Sequence, residues 1–216
     1  MKNIKRSLSW PVLKVYDQEH SPRIAMPIGG IGTGTVSLGG RGNLRDWEIM
    51  NRPGKGFNPK GEDEGPAFFT LYAKPEGEEP VVKLLEGPIP PEEYSGAQGC
   101  SSGWHGLPRF SGSTFASAYP FAQVRLEDPR MPLDVTLRAF NPLVPPDADK
   151  SGIPVAYVSV VLKNRCERRV DASVCASIPN FIGAVVTDRS HKGQWDEVIP
   201  WGMQENANEY READGL

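Results

Sequence analysis

Arginine, carboxylate and aromatic side chains stand close together between Arg41 and Ile49. Such a group could line a sugar site, where Trp47 stacks on a pyranose ring and the guanidinium groups of Arg41 and Arg45 bond to hydroxyls. The alternative is structural, with an Arg–Asp pair that satisfies a turn while Trp47 packs in the core. We favour the structural interpretation and keep the sugar site as a hypothesis.

A second aromatic group, Trp104 with His105, lies in a segment from Tyr94 to Ser113 that is rich in glycine and serine. A loop of this length inside a compact domain is either mobile or functional. Exposed tryptophans would suit contact with carbohydrate, although large aromatic side chains are more often found in a core or an interface. The candidate substrate-binding residues are Arg41, Arg45, Trp47, Trp104 and His105.

Hydrolysis of a glycoside would require two carboxylates that face each other across a cleft. The chain has 27 aspartate and glutamate residues, and their spacing along the sequence does not identify such a pair. The residue patterns alone therefore identify no catalytic residue. Whether the chain is itself an enzyme stays open at this point.

Glycine recurs in the segment PIGGIGTGTVSLGGRG, from Pro27 to Gly42. A dinucleotide-binding loop would need a third glycine where Thr35 stands after Gly30 and Gly32, and no helix pattern follows. Glycines in such a run more reliably permit positive φ angles and sharp bends of strands. Since the three histidines are scattered and no Cys-x-x-Cys pair occurs, we predict neither a cofactor nor a metal.

Composition limits the partners that the chain can have. It has 216 residues, of which 38% are hydrophobic and 24% charged, and its formal net charge is −3. A chain without an excess of basic residues has little to neutralise phosphates with, so a nucleic-acid partner is disfavoured. No apolar stretch reaches the length of a membrane span and no secretory signal is recognisable. We therefore expect a protein without a membrane span, in the cytoplasm.

Short apolar runs between turn residues indicate β-strands. Residues alternate between apolar and polar from Met131 to Phe140, as in a strand with one buried face. The run from Val155 to Leu162 is apolar on both faces, which is typical of a strand inside a sheet, and with Val170–Ile178 it predicts a hairpin. Weak patterns predict one or two helical turns over Leu44–Met50 and another over Asn206–Ala213. The fold class predicted is all-β, an antiparallel β-sandwich with few short helices.

Four segments, in order, resemble the amino-terminal domain of glycoside hydrolase family 116, which contains bacterial β-glucosidases and non-lysosomal glucosylceramidases. The first is PIGGIGTGTVSLGGRGNLRDWEIMNRPGKG, from Pro27 to Gly56. The others are GLPRFSGSTFASAYPFAQVRLEDP, PLDVTLRAFNPLVPPDADKSGIPVAYVSVVLKNRC and VDASVCASIPNFIG. Together they cover most of the chain from Met26 to Gly183.

The resemblance implies an amino-terminal β-sandwich packed on an (α/α)6 helical domain. In that family the helical domain carries both carboxylates of a retaining mechanism that acts on β-glucosides, so no catalytic residue is assigned here. We expect residues 1–25 to be an extension, residues 26–216 to be the sandwich, and its last strands and the helical domain to lie beyond Leu216. The alternative is a stand-alone module that binds a carbohydrate or a protein through Trp104, Trp195 or Trp201.

Overall fold

The computed structural model describes residues 14–49, 67–93 and 105–178 of the chain. Strands account for most of the regular structure in these ranges. They are β1 (Lys14–Tyr16), β2 (Ala25–Ile28), β3 (Thr35–Gly39), β4 (Leu44–Glu48), β5 (Phe68–Pro75), β6 (Val81–Leu84), β7 (Gly112–Ala118), β8 (Phe121–Glu127), β9 (Leu133–Phe140), β10 (Tyr157–Asn164) and β11 (Val170–Ser177). The helical elements described are one short helix, α1 (Ala148–Ser151), and a 3-10 turn (Pro91–Glu93).

The strands form three antiparallel sheets. One has five strands in the order β1-β7-β8-β9-β10, and two have three strands each, in the orders β11-β5-β6 and β2-β3-β4. Buried apolar side chains from all three sheets meet in one core. Mostly antiparallel strands around a shared core confirm the all-β sandwich that the sequence predicts.

Buried apolar residues alternate with more exposed residues along β9, as in a strand with one buried face. Leu133, Val135, Leu137 and Ala139 are buried, while the residues between them lie on the other face. Burying a side chain such as Leu137 completely contributes about 1.5–3 kcal/mol. The period of two in this segment therefore correctly predicted both the strand and its buried face.

The predicted helix over Leu44–Met50 is wrong for the residues described. Leu44–Glu48 is β4, which pairs antiparallel with β3, with an irregularity between Thr35 and Ser37. Asp46 adopts a positive φ of 50° there, a conformation that no helix contains. The segment lacks the apolar stripe that would hold a helix to the core, and the neighbouring β3 offers it a ladder of hydrogen bonds instead. The turn predicted over Asn206–Ala213 lies outside the described residues.

The predicted hairpin of β10 with β11 is also wrong. β10 pairs with β9, whereas β11 pairs with β5 in a different sheet. The amide of Arg165 donates to the carbonyl of Pro132 at 3.0 Å, and the amide of Glu76 donates to the carbonyl of Arg169 at 2.9 Å. The short link between the two strands therefore leaves the five-stranded sheet at one end and joins the three-stranded sheet at the other.

The prediction that Val155–Leu162 lies inside a sheet is corrected as well. Among the described residues β10 is an edge strand of the five-stranded sheet, with β9 on one side. Its apolar side chains Val158, Val160 and Leu162 pack against the core, but they stay partly exposed. A run of residues that is apolar on both faces therefore does not distinguish an interior strand from an edge strand.

Candidate functional site

The turn between β3 and β4 carries Arg41 into the interior of the protein. Gly42 has a φ of +95°, and a Cβ atom there would lie 2.7 Å from the carbonyl oxygen of Leu85. Only glycine adopts that conformation so close to another backbone without strain. The tight turn therefore positions Arg41, whose guanidinium is almost fully buried.

Arg41 belongs to a group of buried charges that we call the Glu86 cluster, made of Arg41, Glu86, Glu93 and Arg109. The Nη1 atom of Arg41 donates to Glu86, and the Nε atom of Arg109 donates to the same carboxylate oxygen at 2.9 Å. The carboxylate of Glu93 lies 3.6 Å from the Nε atom of Arg41. Two cations are thus balanced by two anions, of which Glu93 stays 27% exposed and the other three groups are almost fully buried. Buried charges are tolerated when they are paired in this way.

Backbone bonds hold the same segments in place. The amide of Gly87 donates to the carbonyl of Arg41 at 2.7 Å, and the amide of Phe110 donates to the carbonyl of Glu86 at 3.0 Å. Backbone hydrogen bonds and the side chains of the Glu86 cluster therefore both join the same three segments. These are the β3–β4 turn, the chain after β6 and the chain before β7. A side chain mounted on this frame has little freedom to move, which favours a preorganised site.

A second buried ion pair lies nearby, between Lys83 on β6 and Asp128 after β8. The Nζ atom of Lys83 also donates to the carbonyl of Arg109 at 2.8 Å. Burial opposes ionisation of Asp128, but the hydrogen bonds from Lys83 and from the amide of Arg130 outweigh it and hold the pKa of this carboxyl below its ordinary value. Asp128 is therefore ionised at neutral pH.

Arg45 and Trp47 lie on β4. The Nη1 atom of Arg45 donates to the carbonyl of Pro22 at 3.1 Å, and its Nε atom donates to the carboxylate of Asp46 at 3.4 Å. Trp47 is only 7% exposed and belongs to the core. These contacts agree with the structural interpretation of the segment, in which Trp47 packs in the core.

His105 lies on the surface, in the described part of the predicted functional loop. Its carbonyl accepts a hydrogen bond of 3.3 Å from Arg109, so the backbone at His105 touches the Glu86 cluster while its ring faces outward. The structure thus brings Arg41, Arg45 and Trp47 onto one hairpin and links His105 to it through Arg109. Trp104, Trp195 and Trp201 lie outside the described residues. As substrate-binding residues, the five candidates stay a prediction.

A cavity of about 390 Å³ opens beside Arg41. Its lining comes from four separate segments: Gln18, Glu19, Ser21, Pro22, Arg41, Pro88, Pro90, Pro91 and Ser113. Of the lining residues that the structure describes, Glu19 alone is a carboxylate. Glycoside hydrolysis uses two such groups, and the described lining supplies one of them. In the same ranges no three His, Cys, Asp or Glu side chains are grouped as metal ligands.

The sequence pattern singles out Arg41 but not the residues that hold it in place. Glu86 stands just after β6 and Lys83 within it, in the run VVKLLEGP. A lysine flanked by valine and leucine at an inward position of a strand is a signal of a buried ion pair that could have been used. Its partner Asp128 carries no such signal, since only the fold brings it close to Lys83.

The sequence matches the model of a known protein family. Residues 25–209 match the model of the N-terminal domain of glycosyl hydrolase family 116, described as beta-glucosidase 2. The chain belongs to glycosyl hydrolase family 116. It is the N-terminal domain of a family 116 beta-glucosidase, and a domain of this kind has a catalytic domain as its partner. In the described ranges of this domain no helix is long and apolar enough to cross a membrane.

The family 116 domain exposes apolar side chains at the opposite end of the sandwich from Arg41. We call this surface the apolar end. It consists of Ile31, Tyr119, Phe121, Val144, Ile153, Val155 and Tyr157, each more than a third exposed. The amide of Ile31 donates to the carbonyl of Ser151 at 2.9 Å, which joins the glycine-rich β2–β3 turn to the loop between β9 and β10. The glycines of the family motif thus shape both ends of the domain.

Aromatic rings continue the apolar end across the five-stranded sheet. Phe121, Phe140 and Tyr157 are neighbours on β8, β9 and β10, with ring centroids 6.3 and 4.8 Å apart. A shallow groove of about 520 Å³ runs beside them and includes Gln123, Arg138 and Ser159. A contiguous apolar surface of this kind marks an interaction site more often than a plain solvent face.

Proposed function

We propose that this domain supports an (α/α)6 catalytic domain of a retaining β-glucosidase, and that the apolar end is the surface on which the helical domain docks. The family match supplies the first support, because an N-terminal domain of a glycosidase acts together with its catalytic domain. The substrate class proposed is a β-glucoside, bound and cleaved by carboxylates of the helical domain. In this proposal no residue of the present chain takes part in bond cleavage.

Exposed apolar side chains on two joined loops are the main support for the proposed docking surface. Ile31 is 47% exposed and Ile153 is 48% exposed. A Cβ atom at Gly30 would lie 2.5 Å from the carbonyl oxygen of Ile153, so the two loops touch through backbone where only glycine fits. These two loops are held close together while their apolar side chains face solvent, which is unfavourable. A docked partner would bury these side chains and so stabilise the arrangement.

Assay of the purified 216-residue chain with an aryl β-glucoside tests the proposal. We expect no turnover above the rate of the buffer blank, because both carboxylates would belong to another domain. Addition of the separately purified catalytic domain should give turnover and a complex of the two chains. Turnover by the 216-residue chain alone, at an enzyme-like rate that survives repurification, would contradict the proposal.

Two further expectations belong to the same proposal. The domain boundary at residue 25 stays a prediction. In the structure β1, at residues 14–16, pairs with β7, so the chain before residue 25 contributes a strand to the five-stranded sheet. A cytoplasmic location likewise stays a prediction from the sequence. The stand-alone module is not proposed, because the family match favours a domain of a larger enzyme.

A further inference from the structure

We infer that the cavity beside Arg41 binds a neutral polyol of the size of one sugar ring, on the domain's own residues. This inference does not depend on the proposed function, since the cavity lies at the opposite end of the sandwich from the apolar end. Strand direction shows the separation: β3 runs from the β2–β3 turn at the apolar end towards Arg41, and β7 runs from Ser113 towards Tyr119. The cavity volume of about 390 Å³ lies within the range usual for small-molecule sites.

A buried hydroxyl without a described hydrogen-bond partner lies in the wall of the cavity. Ser113 is 5% exposed, and its Oγ atom has no hydrogen-bond partner among the described residues. A hydroxyl left unsatisfied in the interior costs about 1–3 kcal/mol. The Oγ atom lies against Gly87, and because Ser113 also lines the cavity, a change of its side chain to another staggered rotamer would turn the hydroxyl towards a ligand.

The charges of the lining decide the class of ligand. The guanidinium of Arg41 is already balanced by Glu86 and Glu93, so it gives little net attraction to a phosphate or carboxylate. The carboxylate of Glu19 adds negative charge at the rim, which repels anions and accepts hydrogen bonds from hydroxyls. Gln18 contributes an amide that both donates and accepts. Amide, carboxylate and hydroxyl groups together fit a neutral molecule that carries several hydroxyls.

The walls suit the carbon face of a sugar ring. Pro22, Pro88, Pro90 and Pro91 surround the polar groups. Proline fixes its own backbone, so such walls lose little conformational entropy when a ligand binds. A pyranose has an apolar face of C–H groups with hydroxyls around its edge, and the lining has the same division into apolar walls and polar rim.

Nuclear magnetic resonance of the 15N-labelled 216-residue chain tests this inference, with D-glucose as the probe. We expect saturable shifts of the backbone amides of Ser21, Arg41, Gly87 and Ser113, with a Kd on the order of millimolar, as is usual for one small neutral ligand. Inorganic phosphate and methylamine serve as charged probes and should leave these amides unchanged at the same concentrations.

Two glutamine variants separate this cavity from the aromatic groove. Gln18→Ala should weaken glucose binding about 3- to 10-fold, the usual effect of losing one neutral hydrogen bond. The matched control is Gln123→Ala, which changes the groove beside Phe121 and should leave the Kd unchanged. The inference would be overturned by an absence of saturable shifts at the four amides, by stronger binding of phosphate or methylamine, or by equal weakening in both variants.

Discussion

Lys83 and Asp128 form an ion pair across the interior that ties the sheet of β5 and β6 to the sheet of β8 and β9, with 4% and 2% of their side chains exposed. Together with the Glu86 cluster it places most of the buried charge at one end of the described sandwich. The other end is apolar. The two ends therefore differ in what they can bind.

Substitution of Asp128 by Asn should destabilise the domain strongly. The change leaves the ammonium group of Lys83 buried without its counter-ion, and removing one partner of such a pair typically costs about 3–5 kcal/mol. Urea unfolding at pH 7 measures the effect. Asp134→Asn is the matched control, because its exposed pair with Arg165 should contribute about 1 kcal/mol or less. Equal losses in the two variants would contradict the role given to Asp128.

Acid unfolding should depend on the same carboxyl. The pKa of Asp128 is lowered in the folded state, so its stabilising contribution is complete above the pKa of the unfolded chain, near 3.9, and is lost as the pH falls through the lower folded pKa. The free energy of unfolding should therefore fall below about pH 4 more steeply in the native chain than in Asp128→Asn. Urea titrations between pH 2 and 7 measure the difference. Parallel curves would show that Asp128 is not the group responsible.

Replacement of Gly42 by Ala should cost more stability than replacement of Gly77. Both glycines have positive φ, +95° and +75°, so each variant carries the strain of that conformation, about 1 kcal/mol. At Gly42 the added Cβ would also approach the carbonyl oxygen of Leu85 at 2.7 Å, whereas nothing lies within 4 Å at Gly77. Thermal unfolding of the two variants measures the difference. Equal midpoints would mean that the β3–β4 turn is not as tightly packed as described.

Truncation of Trp47 should identify it as a core residue. Trp47→Ala should lower the free energy of unfolding by about 3–5 kcal/mol, as is usual for a buried aromatic side chain. Phe121→Ala is the control, since Phe121 is 49% exposed and should cost roughly 1 kcal/mol, well below the core value. Chemical denaturation distinguishes the two. A small loss at Trp47 would contradict its assignment to the core and favour the hypothesis that this ring contacts a sugar.

A charge at the apolar end should weaken docking of the catalytic domain. Ile31→Asp would bury a carboxylate in the proposed interface and should raise the Kd of the two-domain complex about tenfold or more. Val82→Asp is the matched control, because Val82 is equally exposed, at 46%, but lies on β6 in another sheet. Analytical ultracentrifugation of the separately purified domains measures both. Weakening by Val82→Asp alone would move the interface to that sheet.

Comparison of β9 with β11 shows how far the sequence alone could lead. Alternation in Leu133–Phe140 predicts its own buried face, because the period of a strand and the position of the core are both local. The pairing of β11 is not local. Its neighbour in sequence is β10, yet its ladder partner is β5, and the bond between Glu76 and Arg169 that fixes this choice joins residues far apart in the chain.

The candidate site was predictable to a similar extent. The sequence singled out Arg41 and Trp47 by residue type and by proximity to other polar groups. It could not show that Glu86 and Glu93 would neutralise Arg41, or that four prolines from two distant segments would line a cavity beside it. The sequence therefore shows which side chains could bind a ligand. The neighbouring charges and the cavity, which determine whether they do so, depend on the fold.

The placement of β5 between β6 and β11 has a consequence for biosynthesis. On a translating ribosome β6 emerges directly after β5 and can pair with it at once, but the opposite edge of β5 must wait until all of β7 to β10 and then β11 have been made. Pairings between such distant segments form slowly, because a long loop has to close first. The nascent polypeptide thus spends much of its synthesis with a central strand half-covered, and a chaperone that shields this edge should raise the yield of native protein.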